Sequence, residues 1–444
     1  MQGVARLSDG RAVFIPFALP GEDVEIRLTK EKERFAEARL LNVINSSPDR
    51  VKPDCPYYGS CGGCQTRHMT YEASLKYKRE KVYAAVTRLG GLNEPEVLDT
   101  LPSPETCAYR NKAEYACAAD FIGFYREGTR QILDIDSCLL QGENVNRTVR
   151  ALRPRLKNTD MSGAVLRVNS AGEIMLILTG GSVPAGTDKF IDLAPEIKSV
   201  HFYRLRPRPA HALDGRCTLL AGAERLDETL NGLSFSISPQ SFFQVNRRQA
   251  ERLYDAALDL ANLTENDEIC DIYCGAGTIT LNAAGRCKSV IGIEIVPEAI
   301  SDARKNAGAN RLSGQTQFLC ADAAQAYPPL ARRKKFNAVF VDPPRKGLDK
   351  AVVDALIAAP TEKLIYVSCD PATLARDIKL LTHSGVYRFV KAQPVDMFPG
   401  TSHVETVCCL YHHKKDFISV PYEPKDASYL KHKNELSILK ENKQ

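Results

Sequence analysis

Cys369 lies in Tyr366-Val367-Ser368-Cys369-Asp370-Pro371, just past the β-branched run Leu364 to Val367 and just before a helix-start signal. A thiol there stands at the carboxyl end of a buried strand, where open α/β sheets place their chemistry. Free cysteines are mostly packing residues, but Asp370-Pro371 marks a turn rather than a core position. Upstream, Ile269-Cys270-Asp271-Ile272-Tyr273-Cys274-Gly275-Ala276-Gly277-Thr278 reads as strand, glycine turn and helix start. Its two glycines let the backbone pass close to a ligand without a Cβ clash. The next strand, Val290 to Glu294, ends in an acid suited to accept hydrogen bonds from ribose hydroxyls, at the spacing of a nucleoside-cofactor unit. A nucleophilic thiol facing such a cofactor points to covalent catalysis of group transfer.

Thr280 stands where the third glycine of a dinucleotide fingerprint would be, so no pyrophosphate is implied. That disfavours NAD and favours S-adenosylmethionine. Asp322 after the strand Phe318 to Ala321, and Asp342-Pro343-Pro344 after the one beyond, strengthen the reading. Uracil suits this equipment. Its C6 is the β-carbon of an enone, so a thiolate can add there and make C5 nucleophilic toward a methylsulfonium. A base must then remove the C5 proton. Glu405, in Ser402-His403-Val404-Glu405-Thr406-Val407, is the candidate base, in a loop or strand edge on the same side of the sheet. Two rivals stay open. Asp342-Pro343-Pro344 also suits methylation of exocyclic amines, although Arg345 replaces the expected aromatic and that chemistry needs no thiol. A non-catalytic RNA-binding factor is the other, against which the intact Cys369 and Glu405 weigh.

Cys55-x5-Cys61-Gly62-Gly63-Cys64 puts three thiols on one tight loop, with Cys138 as the fourth candidate ligand. Four thiolates suit zinc or an iron–sulfur cluster, and spacing does not choose between them. The fourth cysteine argues against a radical S-adenosylmethionine cluster. Cys107, Cys117, Cys217, Cys270, Cys274, Cys287, Cys320, Cys408 and Cys409 read as packing residues. Fourteen cysteines with no hydrophobic leader point to a reducing, cytoplasmic setting. No apolar run approaches a membrane span.

These groups need several domains to position them, since 444 residues exceed one core. Residues 1–46 read as a small OB-like barrel with strands at Val13 to Pro16, Val24 to Leu28 and Phe35 to Val43. Residues 47–240 hold the cysteine loop, a helix over 71–89 and a β-rich stretch that includes Ala164 to Val168 and Ile174 to Leu178. That helix has Leu75, Val82, Val86 and Leu89 on one face. Residues 241–414 alternate strands and helices, which predicts a Rossmann-like α/β unit with a parallel sheet. The polar tail over 415–444 reads as a loosely attached helix or a disordered segment. Net charge is +5, with basic clusters at 76–79, 204–208 and 332–335 and with Arg150, Arg153 and Arg155 between them. Each cluster alone reads as a solvated face, but together they lean toward nucleic acid.

Ser238-Pro239-Gln240-Ser241-Phe242-Phe243-Gln244-Val245-Asn246, Asp271 to Gly277, Val341-Asp342-Pro343-Pro344-Arg345, Val367 to Pro371 and His403 to Val407 occur in this order in one family. Over residues 1–412 the chain resembles the RNA uracil-C5 methyltransferases that form 5-methyluridine, most of all the bacterial 23S rRNA enzymes. The resemblance implies a class I methyltransferase fold, Cys369 as nucleophile and Glu405 as base. It implies Gln244, Tyr273, Glu294 and Asp342, with Thr278 and Asp322, around S-adenosylmethionine. Thr278 replaces the asparagine of some relatives. Phe242 and Gln244 would border a flipped uracil, and Cys55, Cys61, Cys64 and Cys138 would hold a [4Fe-4S] cluster with a structural or RNA-organising role. Gly3 to Arg6 and Phe14 to Glu22 match the RNA-binding TRAM domain, which in relatives has an earlier strand. The barrel is therefore expected to lack that strand or to continue upstream of Met1. Helix 71–89 would pack on the catalytic unit. The expected partner is 23S rRNA, with transfer RNA as the alternative, and the enzyme is expected to act as a monomer.

Overall fold

Short β-branched runs broken by Gly and Pro form the first sheet, made of β1 (Gln2–Arg6), β2 (Ala12–Pro16), β3 (Asp23–Glu31) and β4 (Phe35–Asn45) in the order β1-β2-β4-β3. Alternation buries Val13 and Ile15 against Ala36 and Ala38, which leaves a thin core. The structure, a computed structural model, describes residues 2–184 and 186–413. The polar tail over 415–444 lies outside the described residues.

Helix α1 (Tyr71–Arg88) starts at Thr70, whose hydroxyl accepts from the Ala73 amide at 3.3 Å. Its buried stripe is Ala73, Ser74, Lys78, Val82 and Val86. Leu89, expected on that stripe, is instead the C-cap and 53% exposed, because the helix ends one residue earlier. Lys78, expected in a solvent-facing basic cluster, is fully buried and ion-paired with Asp396.

The middle of the chain is a seven-stranded sheet in the order β11-β10-β9-β8-β5-β6-β7. It comprises β5 (Lys112–Ala118), β6 (Phe121–Tyr125), β7 (Ile132–Asp134), β8 (Met161–Val168), β9 (Ile174–Gly180), β10 (Ile197–Leu205) and β11 (Gly215–Gly222). Its interior strand β9 is buried along its whole length, and α2 (Glu143–Leu152) covers one face through Val145, Val149 and Leu152. The hairpin β12 (Leu226–Leu230) and β13 (Leu233–Ile237) leads into the last unit.

That unit runs α3 (Arg247–Ala261), β14 (Glu268–Ile272), α4 (Thr278–Ala284), β15 (Ser289–Glu294), α5 (Pro297–Ala309), β16 (Thr316–Cys320) and α6 (Ala323–Arg333). It continues with β17 (Ala338–Val341), α7 (Lys350–Ala358), β18 (Lys363–Ser368), α8 (Pro371–His383), β19 (Tyr387–Val395) and β20 (Glu405–His412). Strand order is β16-β15-β14-β17-β18-β20-β19, with β14 to β18 parallel and β20 antiparallel between β18 and β19. Near-continuous Val/Ile/Leu/Phe content in β17 and β18 suits strands covered on both faces. One face packs α3, α4 and α5, while the other packs α6, α7, α8 and Val82 and Val86 of α1.

Three cysteines read as packing residues, Cys107, Cys217 and Cys320, are exposed. Cys217 and Cys320 lie in strands β11 and β16, each the edge strand of its own sheet, where cover is incomplete. Several cations of the basic clusters have carboxylate partners: Arg79 with Asp99, Arg150 with Glu143, Arg153 with Asp134, Arg206 with Asp214 and Lys334 with Glu268. Their net positive field is smaller than the sequence clusters imply.

Candidate active site

Strand order reverses between β14 and β17, and the crevice at such a reversal is where open sheets bind ligands. Tyr273 leaves β14 with φ +69°, in a region that disfavours side chains. Its amide and that of Cys274 donate to the Ile293 carbonyl at 2.9 and 3.0 Å, and these bonds hold the turn. Gly277 follows at φ +85°, where a Cβ would press on Ala303 and Phe318 at 3.3 and 3.5 Å. Asn306 of α5 donates to the Ala276 carbonyl at 3.1 Å. The Gly275 amide donates to Glu294 Oε2 at 3.2 Å, and the Ile295 and Val296 amides donate to its Oε1 at 2.8 and 3.0 Å. Glu294 is thus fixed at the tip of β15.

Thr280, read as a missing glycine, has a task of its own. Its hydroxyl donates to Asp271 Oδ2 at 2.5 Å, while Asp271 Oδ1 has no partner among the described residues. Burial pushes the Asp271 carboxyl up to about 7. Thr278 opens α4 and accepts from the Tyr254 hydroxyl at 3.3 Å. Asp322 caps α6 by accepting from the Ala324 amide at 2.8 Å, which gives it a structural reason to be there.

Asp342 follows β17 and Cys369 follows β18, so both reach the same end of the sheet. Because β20 runs the other way, its first residue sits at that end too. The last pair of β18 with β20 is Ser368 with Thr406, so Cys369 and Glu405 are the residues next past it on the two strands. Glu405 is therefore the buried first residue of an interior strand, rather than part of a loop or sheet edge. Asp370 Oδ1 caps α8 by accepting from the Ala372 and Thr373 amides at 2.8 and 3.1 Å, which leaves Cys369 on the turn. The Cys369 side chain is half-buried.

Electrostatics link these groups. Burial pushes Glu405 up to about 8, the Asp342 carboxylate adds to the rise and Arg345 opposes it. Burial pushes the Cys369 thiol up to about 11, reinforced by Glu405 and Asp342 and again opposed by Arg345. Asp342 itself rises to about 7 through burial and the nearby Asp271. Arg345 is the residue that sequence reasoning undervalued. The sequence gives it no role of its own beyond replacing an aromatic in a shared motif, whereas a cation three residues after Asp342 was the available signal.

The loop over 238–246 approaches from the central sheet. Asn111 donates to the Gln244 carbonyl at 2.9 Å, Arg167 to the Ser241 carbonyl at 2.5 Å, and Asn246 to the Met397 carbonyl at 3.2 Å. Gln244 is buried, and Phe243 packs edge-on against Phe235. Phe242 is 72% exposed, so among the predicted site residues it stands apart as a free ring.

Cys55, Cys61, Cys64 and Cys138 line one cavity of about 660 Å³, and the Gly63 amide donates to Cys61 Sγ at 3.4 Å. Among the described residues, no three His, Cys, Asp or Glu side chains converge closely enough to hold a single metal ion.

The profile of the tRNA (Uracil-5-)-methyltransferase family matches residues 223–414, and that of the TRAM domain matches residues 1–41. An uncharacterized RNA methyltransferase of Halalkalibacterium halodurans is 38% identical, covering 92% of this chain and 93% of its own. The chain belongs to this RNA methyltransferase family. Another uncharacterized RNA methyltransferase, from Chlorobaculum tepidum, is 35% identical over 91% of this chain and 92% of its own. Among solved structures, the tRNA (uracil-54, C5)-methyltransferase of Pyrococcus abyssi, in complex with S-adenosyl-L-homocysteine, superposes with a TM-score of 0.74. It is 30% identical and covers 92% of this chain and 99% of that one. This protein is an S-adenosylmethionine-dependent RNA methyltransferase of class I fold with an N-terminal TRAM domain. Among the described residues, no helix is long and apolar enough to cross a membrane.

Proposed function

We propose that the enzyme converts a uridine of 23S rRNA to 5-methyluridine through a transient bond between Cys369 Sγ and C6 of the base. The Cys369 thiol and the Glu405 carboxylate, each next past the last β18–β20 pair and close enough for Glu405 to raise the thiol, carry this reading. Thiolate addition at C6 sends the electron pair to the O4 enolate, and C5 then takes the methyl group. Glu405 removes the C5 proton, the enolate re-forms, and its collapse expels the Cys369 thiolate. S-adenosylmethionine supplies the electrophilic methyl group and a positive charge. Gln244, Tyr273, Glu294 and Asp342 are its proposed contacts, with Thr278 and Asp322 beside them. Phe242, exposed and unpaired, suits stacking on the extruded base, and the base must leave its stack to reach a thiol at a sheet end.

A base must be ionised, and Glu405 stays largely protonated below about pH 8. Release of methylated RNA from a pre-formed covalent species should therefore speed up with pH, most steeply below about 8, and slow as acid protonates Glu405. A profile flat between pH 6 and pH 9 would remove Glu405 from the role of base.

Cys55, Cys61, Cys64 and Cys138 are the proposed ligands of a [4Fe-4S] cluster. The four thiols line one cavity of about 660 Å³, and it is the family resemblance that favours a cubane there over zinc. We divide the chain into a barrel (1–46), a central cluster-bearing unit (47–240) and the catalytic unit (241–414), acting in the cytoplasm. A tRNA reading is favoured by the substrate named for the Pyrococcus abyssi enzyme. Mapping 5-methyluridine in rRNA and tRNA from a deletion strain separates the two. Loss at a 23S rRNA position is expected, and loss confined to tRNA would replace the rRNA assignment.

A further inference from the structure

Glu405 follows a nine-residue connection, 396–404, that contains no regular structure and leads from β19 into β20. A carboxylate that must meet one C–H bond needs that connection held still. Its restraints come from elsewhere in the chain. Lys78 of α1 is fully buried, ion-paired with the equally buried Asp396, and donates to the Phe398 carbonyl at 3.1 Å. One turn further on, Lys81 donates to the Ser402 carbonyl at 2.9 Å. Lys81 also lies near Asp370, the residue after Cys369. Residues three apart share a helix face, so one face of α1 reaches both ends of the connection. Tyr109 adds a bond to the Pro399 carbonyl at 3.0 Å, and the Gln65 and Thr66 amides both donate to the Gly400 carbonyl, at 2.9 and 3.0 Å.

We propose that Lys78 and Lys81 are positioning residues for the proton-removal step, fixing the segment 396–404 and through it the carboxylate of Glu405. This rests on the covalent reading given above. Neither lysine needs to touch the RNA. Their joint action predicts a particular defect: if Glu405 drifts, addition of Cys369 and methyl transfer proceed while release of the thiol lags. Covalent enzyme–RNA species then build up during turnover. A loss of general stability would slow every step together, and a lost phosphate contact would raise KM for RNA without such a build-up.

The test uses the full-length enzyme, S-adenosylmethionine and a uridine-containing substrate RNA, with denaturing gels to count covalent species at steady state. Lys78→Met alone strands a buried carboxylate and can unfold the chain. The informative variants are therefore Lys78→Met/Asp396→Leu, which removes both charges, and Lys81→Met, with Glu405→Gln as reference. Turnover is expected to fall about 10- to 100-fold in both, with covalent species accumulating and KM for RNA held within about threefold. Wild-type turnover, or slower turnover with a higher KM and no accumulation, would overturn the positioning role. If Glu405→Gln also yields no covalent species, the covalent reading fails, and the positioning role fails with it.

Discussion

Replacing Cys369 with alanine is expected to lower uridine methylation by roughly four orders of magnitude or more while leaving cofactor binding intact. The size of the effect follows from the ring. Uracil C5 is a poor nucleophile until a group adds at C6, and the charged groups that act on Cys369 cannot add there. Asp342 and Glu405 are carboxylates held partly protonated by burial, and Arg345 is a cation. Cys369→Ser should be nearly as inactive, because a hydroxyl ionises far less readily than a thiol among the same acids. The turn itself should survive, since Asp370 caps α8 through its own side chain and Cys369 is only half-buried. A change in Tm within about 3 °C is therefore expected. Calorimetry with S-adenosylmethionine and nucleoside analysis of treated RNA check both halves. Undiminished 5-methyluridine formation would end the covalent mechanism. Methylated adenine or guanine instead would point to exocyclic-amine chemistry.

Much of this site was legible in the chain because strand ends write themselves locally. A β-branched run followed by Asp-Pro, or by two glycines one residue apart, fixes both the strand and the turn that ends it. Cys369, Asp342 and the Gly275 turn were found in that way. The location of Glu405 was harder. Its place at the same sheet end as Cys369 depends on β20 running antiparallel between β18 and β19, a long-range pairing that no local pattern encodes. Lys78 was misread for a related reason. A lysine in a Lys/Tyr/Lys/Arg run looks solvated, and only the remote Asp396 makes its burial tolerable. Thr280 shows the same limit on a smaller scale. Its hydroxyl matters because Asp271, nine residues earlier, is buried beneath the turn.

Glu405→Gln should stop turnover by about 10²- to 10⁴-fold and yet leave the first half of the reaction intact. Glutamine keeps the shape of the side chain but cannot take the C5 proton. Each enzyme molecule is then expected to transfer a single methyl group and remain bonded to the methylated RNA. Above about pH 8, where Glu405 is ionised, the substitution also removes a negative charge that raises the Cys369 thiol. Ionisation of Cys369 becomes easier, so the covalent species should form at least as fast as in the wild type. Wild-type enzyme should release methylated RNA more slowly in mild acid, since protonated Glu405 is equally unable to act as a base; covalent species formed at about pH 8 should persist longer after a shift to about pH 6, while new adduct forms more slowly because the Cys369 thiol ionises less. Folding should not suffer. Glu405 is buried beside Asp342, and a neutral amide avoids the cost of holding two carboxylates together, so Tm should equal or exceed that of the wild type. Denaturing gels and a count of methyl groups per enzyme decide the matter. Continued multiple turnover by this variant would assign proton removal to another group, for which Asp342 is the nearest candidate by charge and position.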